Sequence, residues 1–301
     1  MIRKLVKQGA ATMMISLPTK WIKENKLDKG DEISLEERGN RIIIEKGQKN
    51  EVNEVNIEIT DRNIDDIKIL LTHTYRKGAD RIVLTGKISG ISPEVNRICS
   101  NILMGFEIVE RSKSKIVLEN ISQPDETKYS SILSKVFMIV EEMPNFIYKE
   151  NQDIEEAKNT KDQCDKFVLF CRRILSENKS DLDPVLEWEF LTLLTHIQHN
   201  YYYMIEYIIK NKINLSKETE NLILESKNYF GLVEKAYTKK DYLSIDEVNS
   251  LKNKYQFGKC IDLINNAKGK EATVASYIRE IFRLMQISTS PILSEILEKK
   301  N

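Results

Sequence analysis

Hydrophobic and polar positions follow three successive rhythms along the chain. Through residue 47 apolar side chains recur at every second position. Met13, Ile15 and Leu17 fall on one face of 11–17, with Thr12, Met14 and Ser16 on the other. That is the period of a half-buried strand. Gly9 suits a turn after a first strand over 2–7. Pro18 fits the first position of a short helix, where its missing N–H costs nothing. Trp21 and Ile22 would pin that helix to the strands, and 27–31 reads as a turn. Ile33 and Leu35, then Ile42 and Ile44, alternate on either side of Gly39-Asn40, a hairpin signal. The pattern predicts two hairpins around a helix of one to two turns.

Residues 51–121 mix the two periods in the order β-α-β-α-β-β. Val55, Ile57 and Ile59 alternate as a strand. Asp61 suits the cap of a helix whose apolar face is Ile64, Ile67, Leu70 and Leu71, and Gly78 ends it. A short buried strand covers 80–84. Ser92-Pro93 starts a second helix with Val95, Ile98 and Ile102 inside, and 106–109 with 115–119 forms a closing hairpin. One sheet with helices on one side accounts for this order. Thr85-Gly86-Lys87 does not complete a phosphate-binding loop, because the upstream glycine is missing and Ile88 stands where Ser or Thr is required.

From Pro124 onward the period is helical. Six helices are predicted, over roughly 127–151, 153–178, 184–212, 216–240, 245–268 and 271–299. Pro144 should kink the first. Asp183-Pro184 pairs an N-cap with proline at the first helical position of the third. Short joints imply antiparallel neighbours, and the count suggests two three-helix bundles. The fold class expected is therefore multidomain α+β, with units at 1–47, 51–121 and 125–301.

Composition changes little of this. The chain has 301 residues, 41% hydrophobic and 31% charged, with a net charge of zero. It is an ordinary globular protein long enough for two or three domains. No apolar run reaches the roughly 18 residues of a membrane span. Lys4, Lys7 and Gln8 interrupt any signal-peptide core, so the cytoplasm is the expected location. Cys99, Cys164, Cys171 and Cys260 form no CxxC pair and read as buried free thiols. Charge does alter the picture of the first 30 residues. Arg3, Lys4, Lys7, Lys20, Lys23, Lys26 and Lys29 face only Glu24 and Asp28, a local balance of +5. Cations on strand edges and a short helix can track phosphates; a merely solubilised small sheet is the plainer reading.

The run from Arg3-Lys4-Leu5 through Ile15-Ser16-Leu17-Pro18-Thr19-Lys20-Trp21 to Leu27-Asp28-Lys29-Gly30-Asp31-Glu32-Ile33 resembles the SpoVT/AbrB family of swapped-hairpin DNA-binding domains. That resemblance implies half of a swapped-hairpin β-barrel, completed by a second chain. It implies a homodimer that grips double-stranded DNA, with Arg3, Lys4, Lys7, Lys20 and Lys23 as the contacting residues. A segment of about 47 residues also buries too little surface to stand comfortably alone.

Gly78-Ala79-Asp80-Arg81-Ile82, Met104-Gly105-Phe106-Glu107-Ile108-Val109-Glu110 and the helix from Lys161 to Leu175 resemble the PhoU family of phosphate-uptake regulators. More closely, the whole chain resembles archaeal-type members that carry an AbrB-like N-terminus. The resemblance implies a role in phosphate homeostasis. The family's metal-binding carboxylates are poorly represented. Lys161 stands four before Asp165, Gly258 stands four before Asp262, and Thr195-His196-Ile197-Gln198-His199-Asn200 lacks carboxylates. Asp162 and Asp165 share a helix face and are the weak candidates left for a metal; ordinary solvated helix carboxylates are the better account, so no metal or other cofactor is expected. His196 and His199 lack a third ligand and read as partly exposed.

No catalytic set assembles, and a non-enzyme is expected. Two functions remain. One is a dimeric DNA-binding regulator of phosphate-responsive genes. The other is an adaptor that docks on a phosphate transporter or sensor kinase and uses its N-terminus only to dimerise.

Overall fold

The computed structural model describes residues 2–9, 12–38, 41–46, 52–60, 64–88, 90–122, 126–149, 153–177 and 182–298. The chain divides into two compact units, Met1–Val52 and Asn53–Asn301. The expected turn at Gly39-Asn40, the cap at Asp61 and the break at Pro124 lie outside the described residues.

The first unit holds two antiparallel pairs. Strands β1 (Val6–Gln8) and β2 (Thr12–Met14) pair with Lys7 opposite Met13. Helix α1 (Thr19–Glu24) follows, and β3 (Ile33–Arg38) pairs with β4 (Arg41–Lys46). The order of hairpin, short helix and hairpin matches the alternation of the sequence. The pairs are separate two-stranded sheets in the single chain, so the expected barrel half is not formed by these residues alone. Strand β1 is also shorter than predicted.

In the second unit a four-stranded sheet has the order β5-β6-β8-β7, built from β5 (Glu54–Ile59), β6 (Arg81–Gly86), β7 (Phe106–Arg111) and β8 (Lys115–Asn120). Strands β5 and β6 run parallel because helix α2 (Ile64–Arg76) crosses between them; the remaining pairs are antiparallel. Helix α3 (Ser92–Ile102) joins β6 to β7. The predicted β-α-β-α-β-β order therefore holds. Gly78 takes φ +86° just past α2, a backbone state that a side chain disfavours.

The helices that follow are α4 (Glu126–Glu142), α5 (Ile154–Ser176), α6 (Pro184–Asn211), α7 (Lys217–Lys239), α8 (Tyr242–Lys254), α9 (Cys260–Asn266) and α10 (Glu271–Glu298). Asp183 caps α6 through Oδ1, which accepts from Val185 N at 2.8 Å and Leu186 N at 3.0 Å. Two predicted helices are interrupted. Pro144 does not kink the first; the α-helix stops at Glu142 and a 3₁₀ segment covers Met143–Tyr148, because proline removes the donor that α geometry needs. The fifth is broken by a π turn at Tyr255–Lys259. The widened turn leaves the Gln256 carbonyl to accept from Arg279 Nε at 3.1 Å, and the Gln256 amide donates to Phe282 O at 3.3 Å.

One continuous apolar cluster runs from the inner face of the sheet, at Ile59, Ile82, Leu84, Ile116 and Leu118, through α2 and α3 into every long helix. Its packing joins the two predicted three-helix groups through α6 and α10. Arg173 of α5 is 1% exposed within it. Its Nη1 donates to the carbonyls of Tyr75 at 3.0 Å and Ala79 at 2.6 Å, and its Nη2 meets Asp80 at 3.3 Å and Glu177 at 2.7 Å. The guanidinium lies 5.1 Å from both the Tyr75 and Phe106 ring centres. All four cysteines are buried and free, as expected. Tyr201 is buried and bonds Ser226 Oγ at 2.9 Å, whereas Tyr203 is exposed.

Candidate nucleic-acid interface

The N-terminal unit is built by short local rules. Gly9 takes φ +73° between β1 and β2. Pro18 is the N-cap of α1, one place earlier than the sequence predicts. Its ψ of 128° is extended, yet its carbonyl already accepts from Ile22 N at 3.1 Å. The helix closes where Lys26 turns to φ 53°, with Leu27 N on Ile22 O at 3.0 Å. Asp31 Oδ2 then accepts from Asp28 N at 2.8 Å and Asp28 Oδ1 from Lys29 N at 2.7 Å. Those bonds hold the turn into β3.

Every one of Arg3, Lys4, Lys7, Lys20 and Lys23 is exposed. They form two groups. Arg3 and Lys4 precede β1, in which Lys7 lies; Lys20 and Lys23 are three apart on α1. Lys20 stands 3.7 Å from Glu24, an exposed i,i+4 pair of little energetic weight. All five ammonium or guanidinium groups thus remain open to an external anion.

The apolar side chains of the same unit are open as well. Leu35 opposes Ile44, and Ile33 and Ile42 lie on the same face of the β3–β4 pair. Leu35 is 63% and Ile42 65% exposed, and Ile2, Leu5, Met13 and Ile15 are exposed too. Among the described residues of Met1–Val52 none is buried. An apolar face this open on a small unit marks an association surface.

The weaker candidates lie in the other unit. Asp165 Oδ1 meets His199 Nε2 at 2.7 Å, and its Oδ2 accepts from Lys161 Nζ at 2.8 Å. Lys161 also reaches Asp162 at 2.8 Å. Burial pushes the Asp165 carboxyl up, but His199 and then Lys161 overcome this and hold it below the ordinary carboxylate range. A lysine therefore sits between the two carboxylates, and no three His, Cys, Asp or Glu side chains converge among the described residues. The His199–Asp165 contact, 34 residues apart in sequence, is one that helical periodicity does not reveal. His196 is exposed and does not join it.

Residues 6–52 match the family model described as antidote-toxin recognition MazE, bacterial antitoxin. The match covers the N-terminal unit alone and is consistent with a SpoVT/AbrB-like domain there. No curated protein and no solved structure matches the chain. Among the described residues no helix is long and apolar enough to cross a membrane.

Proposed function

We propose that this protein is a homodimeric, DNA-binding regulator of phosphate-responsive genes and not an enzyme. The carrying observation is the N-terminal unit, whose described residues include no buried side chain although its strands are apolar on one face. A second copy interleaving its hairpins with the first supplies the missing core. The antitoxin-family match over 6–52 supports this reading, as it is consistent with a dimeric DNA-binding regulator. Arg3, Lys4, Lys7, Lys20 and Lys23 from both copies then lie against DNA phosphates, which supply most of the affinity of such contacts.

The phosphate-related part of the reading rests on the sequence resemblance of the second unit. Three of the segments that carry it meet at Arg173, which bonds the Ala79 carbonyl and Asp80 and stacks on Phe106.

Fluorescence anisotropy of a labelled mixed-sequence duplex, titrated at several salt concentrations, tests the DNA interaction. Lys4→Ala, Lys7→Ala and Lys23→Ala combined should weaken binding and flatten the salt dependence, by about 0.9 in slope for each phosphate no longer neutralised. An unchanged affinity and slope would refute DNA binding through this face and leave the adaptor function, in which the N-terminus only dimerises. A genome-wide map of bound sites tests whether the regulated genes respond to phosphate.

A further inference from the structure

A cavity of about 610 Å³ opens in the Asn53–Asn301 unit between α2, α3, α5 and α6. Its size falls within the range of small-molecule sites. Lys68, Arg97, Lys166 and Arg172 line it, with Asp162 and Asp165 as the acidic residues of its wall. Both carboxylates are already matched: Asp165 by His199 and Lys161, and Asp162 by Lys161. Arg97 is committed to Glu94, with Nε 2.9 Å and 3.0 Å from its two carboxylate oxygens.

Arg172 is not matched. Its Nη2 donates to Thr192 Oγ1 at 2.9 Å, but Nε is buried and has no hydrogen-bond partner. Among the described residues no carboxylate lies within ion-pair distance of it. Instead its guanidinium shares the Trp188 ring with that of Arg76, at 5.3 Å and 5.7 Å from the ring centre. Burial, then the Arg76 charge, lowers the Arg172 guanidinium to about 10. A half-buried cation held beside another cation is costly unless an anion completes it. Lys166 adds charge at the same wall and, among the described residues, donates one hydrogen bond, to Ser100 O at 3.2 Å. Ile102, Met104 and Phe167 give the cavity an apolar side.

We propose that this cavity binds a small organic phosphate, with the phosphate on Arg172 and Lys166 and the organic body against Ile102, Met104 and Phe167. Arginine matches phosphate oxygens in pairs, and the volume exceeds what a bare phosphate fills. The site does not depend on the DNA-binding function, and its ligand is measured without DNA.

Isothermal titration calorimetry on the full chain, with ADP and glucose 6-phosphate as probes, tests this. At least one ester should bind saturably, with its uncharged counterpart, adenosine or glucose, weaker by about tenfold or more. Arg172→Gln and Lys166→Glu should each weaken the ester by about tenfold or more while circular dichroism stays unchanged. Lys166 is part-exposed, so its variant remains informative if Arg172→Gln fails to fold. Lack of saturable binding by both esters overturns the proposal. So does equal binding of the uncharged counterpart, or undiminished binding in Lys166→Glu, which would place the ligand on the N-terminal cations. Inorganic phosphate binding as tightly as the esters removes the organic body from the site.

Discussion

Replacing Arg173 by Met should destabilise the Asn53–Asn301 unit by about 3–5 kcal/mol, the range for breaking a buried charge pair by removing one partner. Methionine keeps much of the apolar stem between Tyr75 and Phe106, so loss of packing volume is a minor part. The larger part is polar. Ala79 O loses a donor at 2.6 Å, and Tyr75 O keeps only Gly78 N at 3.0 Å. Glu177, whose side chain is 10% exposed, loses the guanidinium at 2.7 Å. Asp80 is 45% exposed and is re-solvated at little cost. These losses share one guanidinium and do not add. Domains retain only about 5–15 kcal/mol in total, so the shift is large on that scale. Guanidinium unfolding followed by circular dichroism measures it, as the change in midpoint multiplied by the slope. Arg173→Met with Glu177→Met removes both charges, and about 1–3 kcal/mol should return relative to the sum of the single variants. A loss below about 1 kcal/mol in Arg173→Met, or strict additivity in the double variant, would refute the claim that buried charge holds α5 to the sheet layer.

The remaining predictions address other parts of the chain. Leu35→Asp with Ile42→Asp should turn a dimer into a monomer in light scattering, because both side chains are exposed in the single chain and only the association is disturbed; a persistent dimer would move the interface elsewhere. Gly86→Ala should cost about 1–3 kcal/mol, since Gly86 takes φ +101° and a Cβ there would collide with Ile59 O; equal unfolding midpoints would contradict this. Glu187 is buried and accepts from Tyr129 and Tyr237, and burial raises its carboxyl despite those hydrogen bonds. A raised folded value means the folded state binds the extra proton, so the stability contribution is full below the ordinary value of 4.5 and falls as pH rises through the raised one. Glu187→Gln lacks this dependence, so its stability relative to the parent should improve across that interval; a constant difference would place the shift elsewhere.

Much of the fold is legible because it is written locally. Asp183 precedes Pro184 and caps α6; Ile33, Leu35, Ile42 and Ile44 alternate and share one face. The period of two gives way to 3.6 where the sheet layer ends. What periodicity cannot carry is the pairing of polar groups across long separations. Arg173 falls within the helix from Lys161 to Leu175 with no partner that periodicity names, yet its carbonyl partners lie 98 and 94 residues away. Glu187 sits on an amphipathic helix as an ordinary acid, yet it accepts from tyrosines 58 and 50 residues away. The sequence names Lys161 only as a residue that spoils a metal site. The fold turns it into the counter-ion that frees the cavity cations from Asp162 and Asp165. Pro144 shows a different limit: proline predicts a kink, but the chain tightens to 3₁₀ over Met143–Tyr148, where Met143, Phe146 and Ile147 are all buried.

The two units contrast in what holds them together. Asn53–Asn301 has a continuous core and needs no second chain to bury Phe137, Phe190, Tyr229 or Phe282. The described residues of Met1–Val52 bury none of their apolar side chains. If a second copy covers them, the folded state of that unit carries the free energy of association, and its melting temperature rises with protein concentration while that of the larger unit does not. A differential scanning experiment over a hundredfold range of concentration separates the two. One transition should move by RT ln of the concentration ratio, about 2.7 kcal/mol, and the other should stay fixed. Two concentration-independent transitions would mean that the N-terminal unit folds alone, and the exposed face of β3 and β4 would then require another explanation.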